Sequence, residues 1–148
     1  MATATEPIWV LDTSVAAGWF LAADLQHESA LLVLDDLRVR PHRYIVPPLF
    51  YSELAHVLSG RSGRHQDLVR SAFELVVRLG LRTTTLADTA LRRLPDWACT
   101  RLGGYDGTFV ALAEDLAARW LTADAPAARV ASGHSITLEA WVRAQPET

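Results

Sequence analysis

Short β-favouring runs alternate along this chain with longer stretches of helical period. IWVL (8–11), YIV (44–46), LRTTT (81–85) and RWLT (119–122) read as strands, with HSIT (134–137) a small fifth. The stretch TSVAAGWFLA reads as a helix capped by Thr13 or Ser14, and residues 25–38 as a second with Asp24 as cap. Pro47 and Pro48 open a third, SGRSGRH (59–65) turns the chain, and Asp67 to Leu79 form a fourth that Gly80 closes. Residues 87–102 read as helix kinked or divided by Pro95, and Gly103-Gly104 as a break before the helix YDGTFVALAEDLAA. ADAPAARVA turns into a short helix, and LEAWVRA makes a last turn or two. Strands alternating with helices predict an α/β domain with a mainly parallel sheet, helices on both faces, and functional groups beyond the carboxyl ends of the strands.

One residue breaks the helical pattern. In PPLFYSELAHVL (47–58), Glu53 sits among apolar neighbours, with Leu49 and Val57 about 40° either side and Phe50 about 60° away. An isolated ionised carboxylate there costs several kcal/mol unless it is paired, ligated to a metal or neutralised. Three aspartates are ordinary when taken singly. Asp12 follows the first strand and Asp124 the fourth, and both suit helix caps; Asp106 opens a helix, where the dipole favours an acid. Asp115 lies about 180° round that helix and reads as a solvated charge, Glu114 is equally unremarkable, and Asp35 and Asp36 belong to an exposed helical edge. Taken together, four acids converging on one cleft would raise one another's pKa unless a cation neutralised them. An all-oxygen set without Cys or His selects a hard ion, Mg²⁺ or Mn²⁺.

Composition narrows the chemistry. A chain of 148 residues, half of them hydrophobic and 21% charged, suits one domain over 1–148 with a real core. No apolar run reaches the ~18 residues that span a membrane, and Glu6 and Asp12 spoil a signal-peptide reading of residues 8–23. Cys99 is the only cysteine, excluding an intrachain disulfide and a thiolate-rich zinc site, and a cytoplasmic setting is the default. All 14 basic residues are arginine; without lysine, a Walker-type phosphate loop, Schiff-base chemistry and a phosphoacceptor receiver site are excluded. This usage reads more readily as a GC-rich genome than as selection for nucleic-acid contacts. The net charge of −3 does not advertise a polyanion binder, yet without the four acids the rest sums to −3 + 4 = +1. Arg38, Arg40 and Arg43 before the second strand, or Arg61 and Arg64 in the Gly-rich turn, are candidate phosphate contacts, each with a solvated-surface alternative. The five tryptophans read as core and interface; His65 and His134 carry no assignment.

The motifs LDTS, ELAHVL, YDGTFVALAEDL and LTAD, in that order over essentially the whole chain, resemble the PIN domain, and more narrowly a VapC-type ribonuclease toxin of a bacterial toxin–antitoxin pair. The resemblance implies a three-layer α/β/α sandwich with four to five strands, and a Mg²⁺-dependent endoribonuclease using water activated at the metal. Asp12, Glu53, Asp106 and Asp124 match the family's acidic quartet. Asp12 and Asp106 resemble its direct metal ligands, Glu53 and Asp124 its residues acting through intervening water or on a second ion, and Thr13 and Thr122 its supporting hydroxyls. A VapB-like antitoxin, an RNA substrate and a homodimer are further implications. There are two departures: His56 stands where the family often has Asn, and Gly107 where it often has Ala, loosening the helix start by a fraction of a kcal/mol. Two rivals are a catalytically silent PIN-like binding module and a different metal-dependent phosphohydrolase. A haloacid-dehalogenase-like enzyme would need an Asp where Ser14 stands, and a lysine.

Overall fold

Consecutive apolar residues, rather than alternating ones, mark strands covered on both faces. That is the state of β1 (Trp9–Leu11) and β2 (Tyr44–Val46), buried throughout, and of β4 (Arg119–Thr122), buried after its first residue. The computed structural model describes residues 5–147. With β3 (Arg82–Thr83) and β5 (Ser135–Thr137) these strands form one five-stranded sheet in the order β3-β2-β1-β4-β5. Every pairing is parallel; Val10 lies between Ile45 and Trp120, and Leu11 opposite Leu121.

Parallel neighbours need crossovers, and each connection supplies them. α1 (Thr13–Phe20) and α2 (His27–Val39) join β1 to β2, followed by a 3₁₀ turn at Pro41–Arg43. α3 (Leu49–Arg61) and α4 (Gln66–Arg78) join β2 to β3. α5 (Asp88–Ala98) and α6 (Gly103–Asp115) return the chain across the sheet to β4, α7 (Ala125–Val130) leads to β5, and α8 (Leu138–Arg143) follows. Because the direction of travel reverses after β3, right-handed crossovers put α1–α4 on one face and α5–α7 on the other. The result is a three-layer α/β/α sandwich whose switch point lies between β1 and β4. Val10, Leu11, Phe50, Phe109, Trp120 and Leu121 are among its fully buried side chains. Among the described residues no helix is long and apolar enough to cross a membrane.

Several local expectations are corrected. The cap of α1 is Asp12, accepting from the Ser14 amide, rather than Thr13 or Ser14. α3 continues through Ser59 and Gly60 to Arg61, so the turn is shorter than the composition suggests and falls at Gly63 and Arg64, both with positive φ. Pro95 does not divide α5, which ends at Ala98 within a turn of it. Gly103 and Gly104 open α6 instead of preceding it, Gly103 taking φ +73°. Gly107 is buried, and a Cβ there would stand 3.2 Å from the Ala98 amide nitrogen, so its missing side chain lets α5 and α6 approach.

Three acids read as solvated, unremarkable or edge residues have specific partners. Asp36 accepts from the Tyr44 hydroxyl at 2.6 Å and pairs with Arg40 at 2.6 Å. Glu114 accepts from Trp97 Nε1 at 2.8 Å and pairs with Arg93 at 2.8 Å, while Asp115 faces the same guanidinium at 3.9 Å. The face of α6 opposite Asp106 is covered by α5, which the periodicity of α6 alone cannot reveal.

α1 and α2 also meet at a glycine. A Cβ on Gly18 would lie 2.9 Å from the Ala30 Cβ, while Trp19 Nε1 donates to the Ala30 carbonyl at 2.9 Å. Gly18→Ala is therefore expected to destabilise the fold by about 1–3 kcal/mol through overpacking, read as a lowered thermal midpoint. Gly60→Ala, which meets nothing within 4 Å inside α3, should be neutral or stabilising. Equal midpoints for the two variants would contradict this packing.

Candidate metal centre and active site

At the switch point the strand ladder runs one residue past β1, because the Asp12 amide donates to the Leu121 carbonyl at 2.9 Å. The buried Asp12 side chain is then fixed through one oxygen. Its Oδ2 accepts from Ser14 Oγ at 2.5 Å, Thr122 Oγ1 at 3.0 Å and the Ser14 amide at 3.3 Å, and none of these bonds uses Oδ1. Ser14 Oγ also accepts from the Ala123 amide at 3.0 Å, and Thr122 Oγ1 from the Asp124 amide at 3.1 Å. Two strand ends and the start of α1 thus share one hydrogen-bonded mesh. Trp120 Nε1 lies beside this mesh, near enough to favour a charged Asp12, but it is buried without a hydrogen-bond partner.

Glu53 flanks the core rather than facing it. The fully buried stripe of α3 is Phe50, Leu54 and Leu58. Leu49, Glu53 and Val57 form a half-buried stripe beside it. Glu53, Val57 and Arg61 line a cavity of about 280 Å³ together with Asp12, Asp106 and Asp124. Asp106 reaches it from the first turn of α6, and Asp124 from the N-cap of α7, where its Oδ1 accepts from the Ala127 amide at 3.0 Å. Asp124 is exposed; Glu53 and Asp106 are half-buried.

The electrostatics record this convergence. Burial, then the charges of Asp12 and Asp106, push the Glu53 carboxyl up to about 7. Burial, then Asp12 and Asp124, push Asp106 up to about 6. Asp12 is also raised, by burial that outweighs its Ser14 and Thr122 bonds. Glu53 Oε1 is a buried acceptor with no hydrogen-bond partner. Unpartnered oxygens on mutually repelling acids, with no softer donor in the cavity, fit a hard divalent cation. Among the described residues no three His, Cys, Asp or Glu side chains gather round a single point closely enough to form a complete ligand set. The acids share a cavity without closing on one centre.

A fifth carboxylate lines the same cavity: Asp24, expected only as a helix cap. It accepts from the Gln26 amide at 2.8 Å, and Gln26 Nε2 donates to the Ala123 carbonyl at 3.1 Å, tying the α1–α2 loop to the end of β4. No sequence signal could have found it, since its place depends on where that loop lands. Thr13 lines the cavity with its Oγ1 buried and unpartnered. His56 is exposed and absent from the cavity wall.

The candidate arginines separate. Arg61 lines the acid cavity, whereas Arg64 lines a different groove between α3 and α4. Arg40 and Arg43 precede β2, at the amino ends of the strands and opposite the acids; Arg40 pairs with Asp36 and Arg43 with Glu6 at 2.7 Å. Neither lines the acid cavity, and Arg38 is an exposed residue of the last turn of α2, at the same end.

The PIN domain family profile matches residues 9–133 of the chain. No curated protein matches the sequence. Among solved structures the chain is similar to Mycobacterium tuberculosis VapC20, a sarcin–ricin loop cleaving toxin, with a TM-score of 0.65 and 16% identity over 82% of this chain and 94% of that one. At that identity the likeness is one of fold.

A carboxyl raised on folding binds more protons in the folded state than in the unfolded one, so stability falls as pH rises between the two pKa values. With Glu53 at about 7 and Asp106 at about 6, the protein in EDTA should lose thermal stability from about pH 4 to pH 7. Glu6, held at about 2 by Arg43 and His42, acts in the opposite sense only at lower pH. Glu53→Gln should flatten the upper part of this decline and raise the midpoint at pH 7.5. A midpoint for Glu53→Gln that tracks the wild type across this range would contradict the electrostatics.

Proposed function

The chain belongs to the PIN domain family, and from that premise we propose that it is a divalent-metal-dependent endoribonuclease of the VapC type, hydrolysing RNA phosphodiester bonds with Mg²⁺ or Mn²⁺. The observation that carries the reading is the shared cavity, where Asp12, Glu53, Asp106 and Asp124 meet and burial and mutual charge raise Glu53 and Asp106. RNA as substrate draws on the fold likeness to a toxin that cleaves the sarcin–ricin loop.

Asp12 and Asp106 would hold the cation, which supplies Lewis-acid stabilisation of charge growing on the phosphate and a lowered pKa for water. The mesh of Ser14 and Thr122 stops Asp12 from rotating away, so its carboxylate is positioned before substrate arrives. Glu53, with a pKa near neutrality, suits the acceptor of the proton that attacking water gives up. Asp124, held by the Ala127 amide, faces the same space from the opposite element. No histidine or cysteine lines the cavity, and the Ser14 hydroxyl proton goes to Asp12. Direct attack by water therefore suits these residues better than a covalent intermediate.

The wider setting follows from the same reading. A VapB-like antitoxin would cover the cleft, an inserted arginine offsetting the carboxylate charge. A homodimer and a cytoplasmic location complete the proposal.

Incubation with labelled RNA and matched DNA tests the reaction. Cleavage of RNA is expected with Mg²⁺ or Mn²⁺ and none in EDTA. Glu53→Gln should lower the rate by about 10²-fold or more, and Asp106→Asn should abolish metal-dependent cleavage. RNA cleavage that survives both EDTA and Asp106→Asn would overturn the assignment, as would turnover of a phosphomonoester with RNA left intact.

A further inference from the structure

A nuclease whose cavity holds five carboxylates must still hold a polyanion beside it. Within a Debye length of about 8 Å at physiological salt those charges repel every neighbouring phosphate, and the chain as a whole, at −3, offers no compensating field. Local cations have to do the holding.

A second cavity, of about 530 Å³, adjoins the first and shares Asp106 and Asp124 with it. Arg101 and Arg129 line it over an apolar wall that includes Leu102, Pro126 and Val130. Arg101 lies in the turn that leads into α6, five residues before Asp106; Arg129 lies on α7, five residues after Asp124. Each arginine is therefore tied by a short stretch of chain to one acid of the site. Both are exposed, and among the described residues neither makes an ion pair, unlike Arg40, Arg43 and Arg93, which are held by Asp36, Glu6 and Glu114. Their guanidinium donors remain free for a ligand, and the planar fork matches phosphate oxygens bidentately.

We infer that Arg101 and Arg129 form a phosphate-binding subsite for single-stranded RNA, gripping a backbone phosphate adjacent to the one over the carboxylates while the apolar wall takes the attached nucleoside. This rests on the ribonuclease reading and gives it a direction. The strand leaves the acid cavity between α6 and α7, and Arg61 guards the other side, on α3.

Fluorescence anisotropy of a labelled single-stranded RNA of about a dozen nucleotides, in EDTA and at rising salt, tests the subsite without cleavage. Arg101→Gln/Arg129→Gln should weaken binding at least tenfold at low salt. The same pair should flatten the slope of log affinity against log salt by about 0.7, the increment for one single-strand phosphate no longer neutralised. Arg40→Gln/Arg43→Gln, at the other edge of the sheet, should match the wild type. In cleavage assays with metal, the first pair should raise KM and leave kcat near its wild-type value. A wild type that fails to bind RNA, a first pair that binds as the wild type does, or a control pair that loses as much would each overturn the subsite. RNA bound through these arginines but never cut would sink the nuclease reading alone; RNA cut by the first pair with unchanged KM would sink the subsite alone.

Discussion

A carboxylate buried at the switch point of a parallel sheet is the constraint on which the rest of this structure turns. Asp12 sits where β1 ends and the chain must begin α1, and its Oδ2 is held from both sides by Ser14 and Thr122. The same atoms cap the helix, join the ends of β1 and β4 and fix an acid that would otherwise sit in water at lower cost. Burial raises its pKa despite those bonds, so the mesh only part-compensates the charge. Position is obtained at some expense in stability, a usual feature of preorganised sites.

Around that fixed point the other acids come from three separate helices that share one core. Glu53 rides a half-buried stripe of α3, Asp106 lies in the first turn of α6, and Asp124 caps α7. α3 belongs to one helical layer and α6 to the other, so the cleft is the seam between layers where the sheet ends. Their charges raise one another, which gives the cleft an electrostatic strain that a cation would relieve. Where acids are paired instead, as with Asp36 and Tyr44 or Glu114 and Trp97, they brace neighbouring elements and take no part in the cleft.

The arginines divide by edge of the sheet. Arg40 and Arg43 tie the amino-terminal edge to Asp36 and Glu6, a structural use. Arg61, Arg101 and Arg129 stand at the carboxyl edge, on the walls of the two cavities. These five of the chain's 14 arginines thus divide between ion pairs within the fold and the walls of the cleft.

Much of this was legible in one dimension. The runs at 44–46 and 119–122 are β2 and β4 to the residue, because a strand covered on both faces leaves an uninterrupted apolar signature. Glu53 was legible as an anomaly, since a helix period of 3.6 exposes any charge set among apolar neighbours. Which side of α3 meets the core, and which the cleft, depended on how α3 seats beside α1, and the core stripe proved to be Phe50, Leu54 and Leu58. Asp24, Arg101 and Arg129 carry no local signature at all. They lie in a loop, a turn and a short helix, and only the meeting of chain segments distant in sequence brings them to the acids. Local chemistry follows from short-range periodicity, which the sequence contains in full; the company a residue keeps follows from long-range packing, which only the folded chain decides.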